Sequence, residues 1–125
     1  MTQDLKPLAK VTQALYSKKL GAMQKIRAED NELRQAIAGL DRNLAEETRA
    51  SQNDHALRSL GADLLWQSWV GRKKASLQMQ LAQVLVREEH ALKEMRLAFG
   101  KKDVMENLIR IQAERDKQEE TRRSY

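Results

Sequence analysis

Proline occurs once in this 125-residue chain, at Pro7. Proline lacks a backbone N–H and clashes with the preceding turn, so a helix accepts it in its first turn and rarely deeper. Nothing of that kind interrupts the chain after residue 7, and the remaining residues are mostly Leu, Ala, Gln, Glu, Lys and Arg. These are the strongest helix formers. The chain is therefore expected to be all-α and built from very long helix, with a surface rather than a pocket as its working part.

Composition narrows the kind of helix. Leu, Ile, Val and Phe make up only about a fifth of the residues, near the border where a globular core becomes hard to build. Charged residues of both signs are 33% and aromatics 4%. A coiled coil, whose core is a narrow seam, suits that balance. The net charge of +5 is spread along the chain without a block, so it argues only weakly for a polyanionic partner. No cysteine is present, which leaves no disulfide and no thiolate metal site. The opening MTQDLKPLAK has no apolar signal core, and no apolar run approaches the roughly 18 residues of a membrane span. A cytosolic protein without direct membrane insertion is expected.

The first helix is predicted from about residue 5 to 50, with Asp4 as its cap and Pro7 in its first turn. Leu8, Leu15, Ala22, Ile26, Leu33, Ala36, Ile37, Leu40 and Leu44 recur mostly at steps of 3, 4 or 7, a helical stripe. Thr12, Lys19 and Glu29 intrude on it. Ser51-Gln52-Asn53-Asp54 is the best turn signal, with Ser51 and Asp54 each able to cap a second helix. That helix is predicted over about 55–118, ahead of a polar tail, 119–125, that should fray. Its seam reads Leu77, Leu81, Val84, Glu88, Ala91, Met95, Ala98, Lys102, Met105, Ile109, alternating steps of 4 and 3. Leu85, Leu92 and Phe99 widen it.

Two long helices joined by a short turn should fold back as an antiparallel coiled-coil hairpin, each arm roughly 65–70 Å long at about 1.5 Å per residue. A turn centred near Asn53 pairs residues whose numbers sum to about 106. Leu40 would then lie near Trp66, Ile26 near Leu81 and Leu8 near Ala98. Residues from about 101 to 118 would overhang, carrying Val104, Met105, Leu108, Ile109 and Ile111 toward another protein. Two alternatives stay open: a longer turn from 51 to 61 marked by Gly61, and one uninterrupted helix pairing with a second copy.

Chemistry is sparse. No phosphate-binding or dinucleotide-binding glycine loop and no nucleophile elbow occurs, and Gly100-Lys101-Lys102 lacks the loop that would make it one. An enzyme is not expected, and neither is a cofactor. His90 follows Glu88 and Glu89, with Glu94 a turn later, but Arg87 stands where a di-metal helix bundle needs glutamate. No metal is expected. The most unusual stretch is Leu64-Leu65-Trp66-Gln67-Ser68-Trp69-Val70, with Arg72-Lys73-Lys74 just beyond it. Trp66 and Trp69 share a helix face. They either fill the hairpin near its turn or anchor a protein partner. A nucleic-acid surface is the third reading, with stacking faces beside cations. So short a basic cluster, without an accompanying motif, argues against it.

These residues resemble the FliJ family of flagellar type III export proteins, related in shape to the YscO-type stalks of injectisomes. The resemblance lies in length, the two-helix build, the scarcity of proline and lack of cysteine, and two stretches of the second helix. Trp66-Gln67-Ser68-Trp69-Val70 is similar to the aromatic-rich start of that helix in the family, and Leu97 to Ile109 is similar to its segment of an aromatic, a basic cluster and later apolar positions. The resemblance implies a monomeric, non-enzymatic stalk. It would sit in the pore of a hexameric export ATPase and contact the membrane export gate, with export chaperones as further partners of some members. It implies gate contact through Trp66, Trp69 and Val70, and ATPase contact through Val104, Met105, Leu108 and Ile109. The bland alternative is a structural coiled-coil adaptor or oligomer with no ATPase partner.

Overall fold

The computed structural model describes residues 4–52 and 61–124. It is an all-α, two-helix antiparallel hairpin: α1 spans Lys6–Gln52 and α2 spans Ala62–Ser124. Asp4 caps α1, its Oδ1 accepting the Lys6 N–H at 3.1 Å, and Pro7 sits in the first turn, where no intrahelical donor is lost. Gly61 precedes α2 with φ +69°, a left-handed conformation that glycine adopts without a Cβ clash.

α1 continues through Ser51 and Gln52, so the turn does not begin at 51, and α2 starts at Ala62 rather than near 55. Asn53 and Asp54 lie outside the described residues. α2 runs on to Ser124, through the segment expected to fray. Ser124 Oγ and Thr121 Oγ1 donate to the carbonyls of Glu120 and Lys117, and Arg122 and Arg123 lie at the negative end of the helix dipole.

The packing gathers into two units, Met1–Gln24 with Glu89–Tyr125, and Lys25–Glu88. In the second of these, Arg27 pairs with Glu88, Arg87 with Glu29, and Lys74 with Asp41 at 2.9 Å. Val70, Leu77 and Val84 are its buried side chains. In the first, Lys19 meets Glu94 at 2.9 Å and Tyr16 meets Phe99 edge to face at 5.7 Å, around buried Met23, Ala91 and Ala98. The six buried hydrophobic residues among those described are a thin core for two helices of 47 and 63 residues. A seam that thin leaves the flanking side chains in solvent.

These pairings correct the expected register. Tyr16/Phe99, Asp41/Lys74 and Arg27/Glu88 each sum to 115, and Glu29/Arg87 to 116. The pairings Leu40/Trp66, Ile26/Leu81 and Leu8/Ala98 are therefore displaced by more than two helical turns. The reason is that α1 runs longer and α2 begins later than expected. With that register Lys6, the first residue of α1, lies opposite Ile109. The overhang thus begins near residue 110, not 101. Met105 and Ile109 stay half-buried at seam positions.

The seam of α2 follows the sequence pattern from Leu77 to Ile109, every position buried or half-buried. The stripe of α1 is shifted by one place in its first half. Ala9, Thr12, Tyr16, Lys19, Met23, Ile26 and Asp30 turn inward, while Leu8 and Ala22 are exposed. Glu29, read as an intruder, points outward to Arg87, and Asp30 takes the seam place.

Candidate partner-binding surfaces

Within the Lys25–Glu88 unit, the first turns of α2 present the tryptophans. A spacing of three sets Trp66 and Trp69 on one face, and their rings stack 5.3 Å apart at 19°. Trp66 is half-buried, and its Nε1–H is enclosed without an acceptor among the described residues. Beside it lies a small cavity of about 80 Å³, lined by Leu44, Glu47, Thr48, Ala62, Asp63 and Gln67. Trp69 is 46% exposed, and Leu64 and Leu65 are more exposed still. Trp66 therefore works as a wedge in the hairpin and Trp69 as its outward continuation. Val70 is 1% exposed and belongs to the core. It falls on the seam one place past Trp69 and, contrary to expectation, has no free surface to offer a partner.

The basic cluster behind the tryptophans is partly spoken for. Lys74 Nζ bonds Asp41 at 2.9 Å, and Arg72 Nη1 donates to Ser68 Oγ at 3.0 Å. That leaves Lys73 alone of the three without a partner among the described residues, a slight footprint for a phosphate backbone.

In the other unit the two flanks of the seam differ. One is marked by Tyr16, Phe99 and Lys102, whose Nζ lies 5.3 Å from the Tyr16 ring centroid and 5.8 Å from that of Phe99. Lys102 explains how a charge tolerates a seam position: its stem covers apolar surface while the ammonium rests over the rings and 3.3 Å from Glu106. Tyr16 was not visible as a site residue in the sequence, although its place seven residues before Met23 carries the signal.

The Lys19–Glu94 ion pair marks the opposite flank. Leu8 and Leu15 on α1, and Glu94, Lys101 and Leu108 on α2, each sit one place before a seam residue and so share this side. Val11, Leu97, Val104 and Ile111 lie beyond them on the same side. Leu8 is 53% exposed, Val104 56% and Leu108 43%. The register sets Leu8 opposite Leu108. Of the expected ATPase contacts, Val104 and Leu108 are thus free to meet a partner, whereas Met105 and Ile109 are half-buried toward α1.

His90 Nε2 lies 3.2 Å from Glu94 Oε1, and Glu94 titrates below its ordinary value of 4.5, first because Lys19 hydrogen-bonds it. No group of three metal-ligating side chains converges among the described residues, and none of their helices is long and apolar enough to cross a membrane. No family model, characterised protein or solved structure gives a significant match to this chain.

Proposed function

We propose that the chain is a non-enzymatic stalk or coupling protein of the flagellar type III protein export apparatus. In this role it inserts in the hexameric export ATPase and contacts the membrane export gate, in the cytoplasm and peripheral to the membrane. The observation that carries the reading is the pairing of a thin hairpin with apolar side chains left outside it, at Trp69 and at Val104 and Leu108. Two helices side by side are about 20 Å across, narrow enough for the pore of a ring. Exposed ion pairs such as Arg87–Glu29 are worth about 0–1 kcal/mol each, so a surface of mixed charge can make and release contacts as a ring changes state. The resemblance of Trp66 to Val70 and of Leu97 to Ile109 to the FliJ family supplies the partners.

The test is biochemical. Stoichiometric amounts of the purified chain are expected to stimulate the ATPase of the same export system and to bind the cytoplasmic domain of its gate. Absence of both effects rejects the proposal. A stable dimer or larger bundle, seen by light scattering across concentrations, would favour instead a structural oligomer or adaptor with no ATPase partner.

A further inference from the structure

The flank of the Met1–Gln24 and Glu89–Tyr125 unit marked by Lys19–Glu94 carries more apolar surface than a solvated face needs. Leu8, Val11, Leu97, Val104, Leu108 and Ile111 are all at least 42% exposed. On α2 the spacings from Leu97 through Val104, Leu108 and Ile111 are seven, four and three, the recurrence of a second helical stripe beside the seam. Leu8 and Val11, three apart on α1, face the same side. The result is a shallow apolar trough between two helices, the shape that receives a third helix.

The charges along the trough say what kind of helix. Lys18, Lys101 and Arg115 lie among the apolar residues, exposed and without an ion pair to any described residue. Of the acids on this side, Glu94 is held by Lys19 and Asp4 caps α1, while Glu114 lies exposed on the overhang beyond α1. An uncompensated basic border repels a second copy of the same surface and attracts its opposite. We infer that this flank docks an amphipathic helix of a partner protein, one whose apolar stripe is bordered by Asp and Glu. The inference names a partner by its chemistry and goes beyond the export reading. It stands whether or not the ATPase or the gate is the owner of that helix.

The probe is a designed helical peptide with Leu in its apolar stripe and Glu on both borders, beside a control with Lys in place of Glu. Calorimetry with the full chain should show binding of the acidic peptide that weakens as salt rises, and at least tenfold weaker binding of the basic one. Val104→Ser with Leu108→Ser should lower acidic-peptide affinity more than tenfold while circular dichroism shows the hairpin unchanged. Lys101→Glu with Arg115→Glu should reverse the preference between the peptides. Equal binding of both peptides, no binding of either, or affinity unmoved by the Ser pair would overturn the inference. So would a dimer of the chain that the same Ser pair dissociates, since the trough would then be filled by a second copy.

Discussion

Glu88 of α2 and Asp30 of α1 bring their carboxyl groups together across the seam. Arg34 holds Asp30 below its ordinary value of 3.8, and the Asp30 carboxyl beside it, together with a smaller effect of burial, pushes Glu88 above its ordinary 4.5. Two ionised carboxylates would set acceptor against acceptor, and Glu88 Oε2 is enclosed without a hydrogen-bond partner among the described residues. Protonating Glu88 relieves that opposition, which is why its titration moves upward, and Arg27 beside it opposes the move.

The stability consequence has a definite sign. A raised pKa in the folded state contributes stability that is full below 4.5 and lost as pH rises through the raised value. Asp30 acts oppositely, contributing above 3.8 and losing its contribution as pH falls through its lowered value. Glu88→Gln keeps a donor and removes the charge. Its melting temperature should therefore gain on that of the unmodified chain as pH rises above the ordinary 4.5. A difference that stays constant with pH would show that Glu88 titrates normally.

The one-place shift in the α1 stripe can be measured directly. Met23 is 1% exposed, so Met23→Ala should cost about 2–5 kcal/mol by urea unfolding. Leu8 is 53% exposed, and Leu8→Ala should stay within about 0.5 kcal/mol. The sequence stripe alone, with Leu8 inward, would rank the two the other way.

Two glycines should respond with opposite signs. Gly61 holds φ +69°, so Gly61→Ala should destabilise by about 1–2 kcal/mol. Gly71 is helical, with nothing within 4 Å of an added Cβ, and Gly71→Ala should stabilise by about 0.5–1 kcal/mol. Chemical denaturation of the two variants gives both values.

Truncation tests where the hairpin ends. The register places Lys6 opposite Ile109, so removing residues 114–125 should leave stability within about 0.5 kcal/mol and lower only the helical circular dichroism signal. Removing residues from 105 onward takes half-buried Met105 and Ile109 and should lower the unfolding midpoint clearly.

The α2 seam was legible because its apolar residues alternate steps of 4 and 3 with few rivals, from Leu77 to Ile109. α1 offers two neighbouring stripes. Leu8, Leu15 and Ala22 are collectively more apolar than Ala9, Tyr16 and Met23, and no single-helix pattern says which stripe meets a partner. Trp66 and Trp69 were found by rarity, but their split into a wedge and an exposed ring needed the second helix. Val70 looked like part of the same surface because it is adjacent in sequence, and only its seam position removes it.

Helix formation is local: each backbone bond reaches four residues back, and side-chain propensities act residue by residue. A chain with one proline at its start and strong helix formers throughout thus declares its all-α character and one good seam without any tertiary information. Register is non-local. Every one-heptad slide keeps a seam of the same spacing, so the choice rests on where α1 stops, where Gly61 restarts the chain, and pairs such as Tyr16–Phe99 and Asp41–Lys74. That choice brings Leu8 opposite Leu108, assembling an apolar flank from residues about 100 positions apart in the chain. It also leaves Val104 and Leu108 outside while drawing Met105 and Ile109 in.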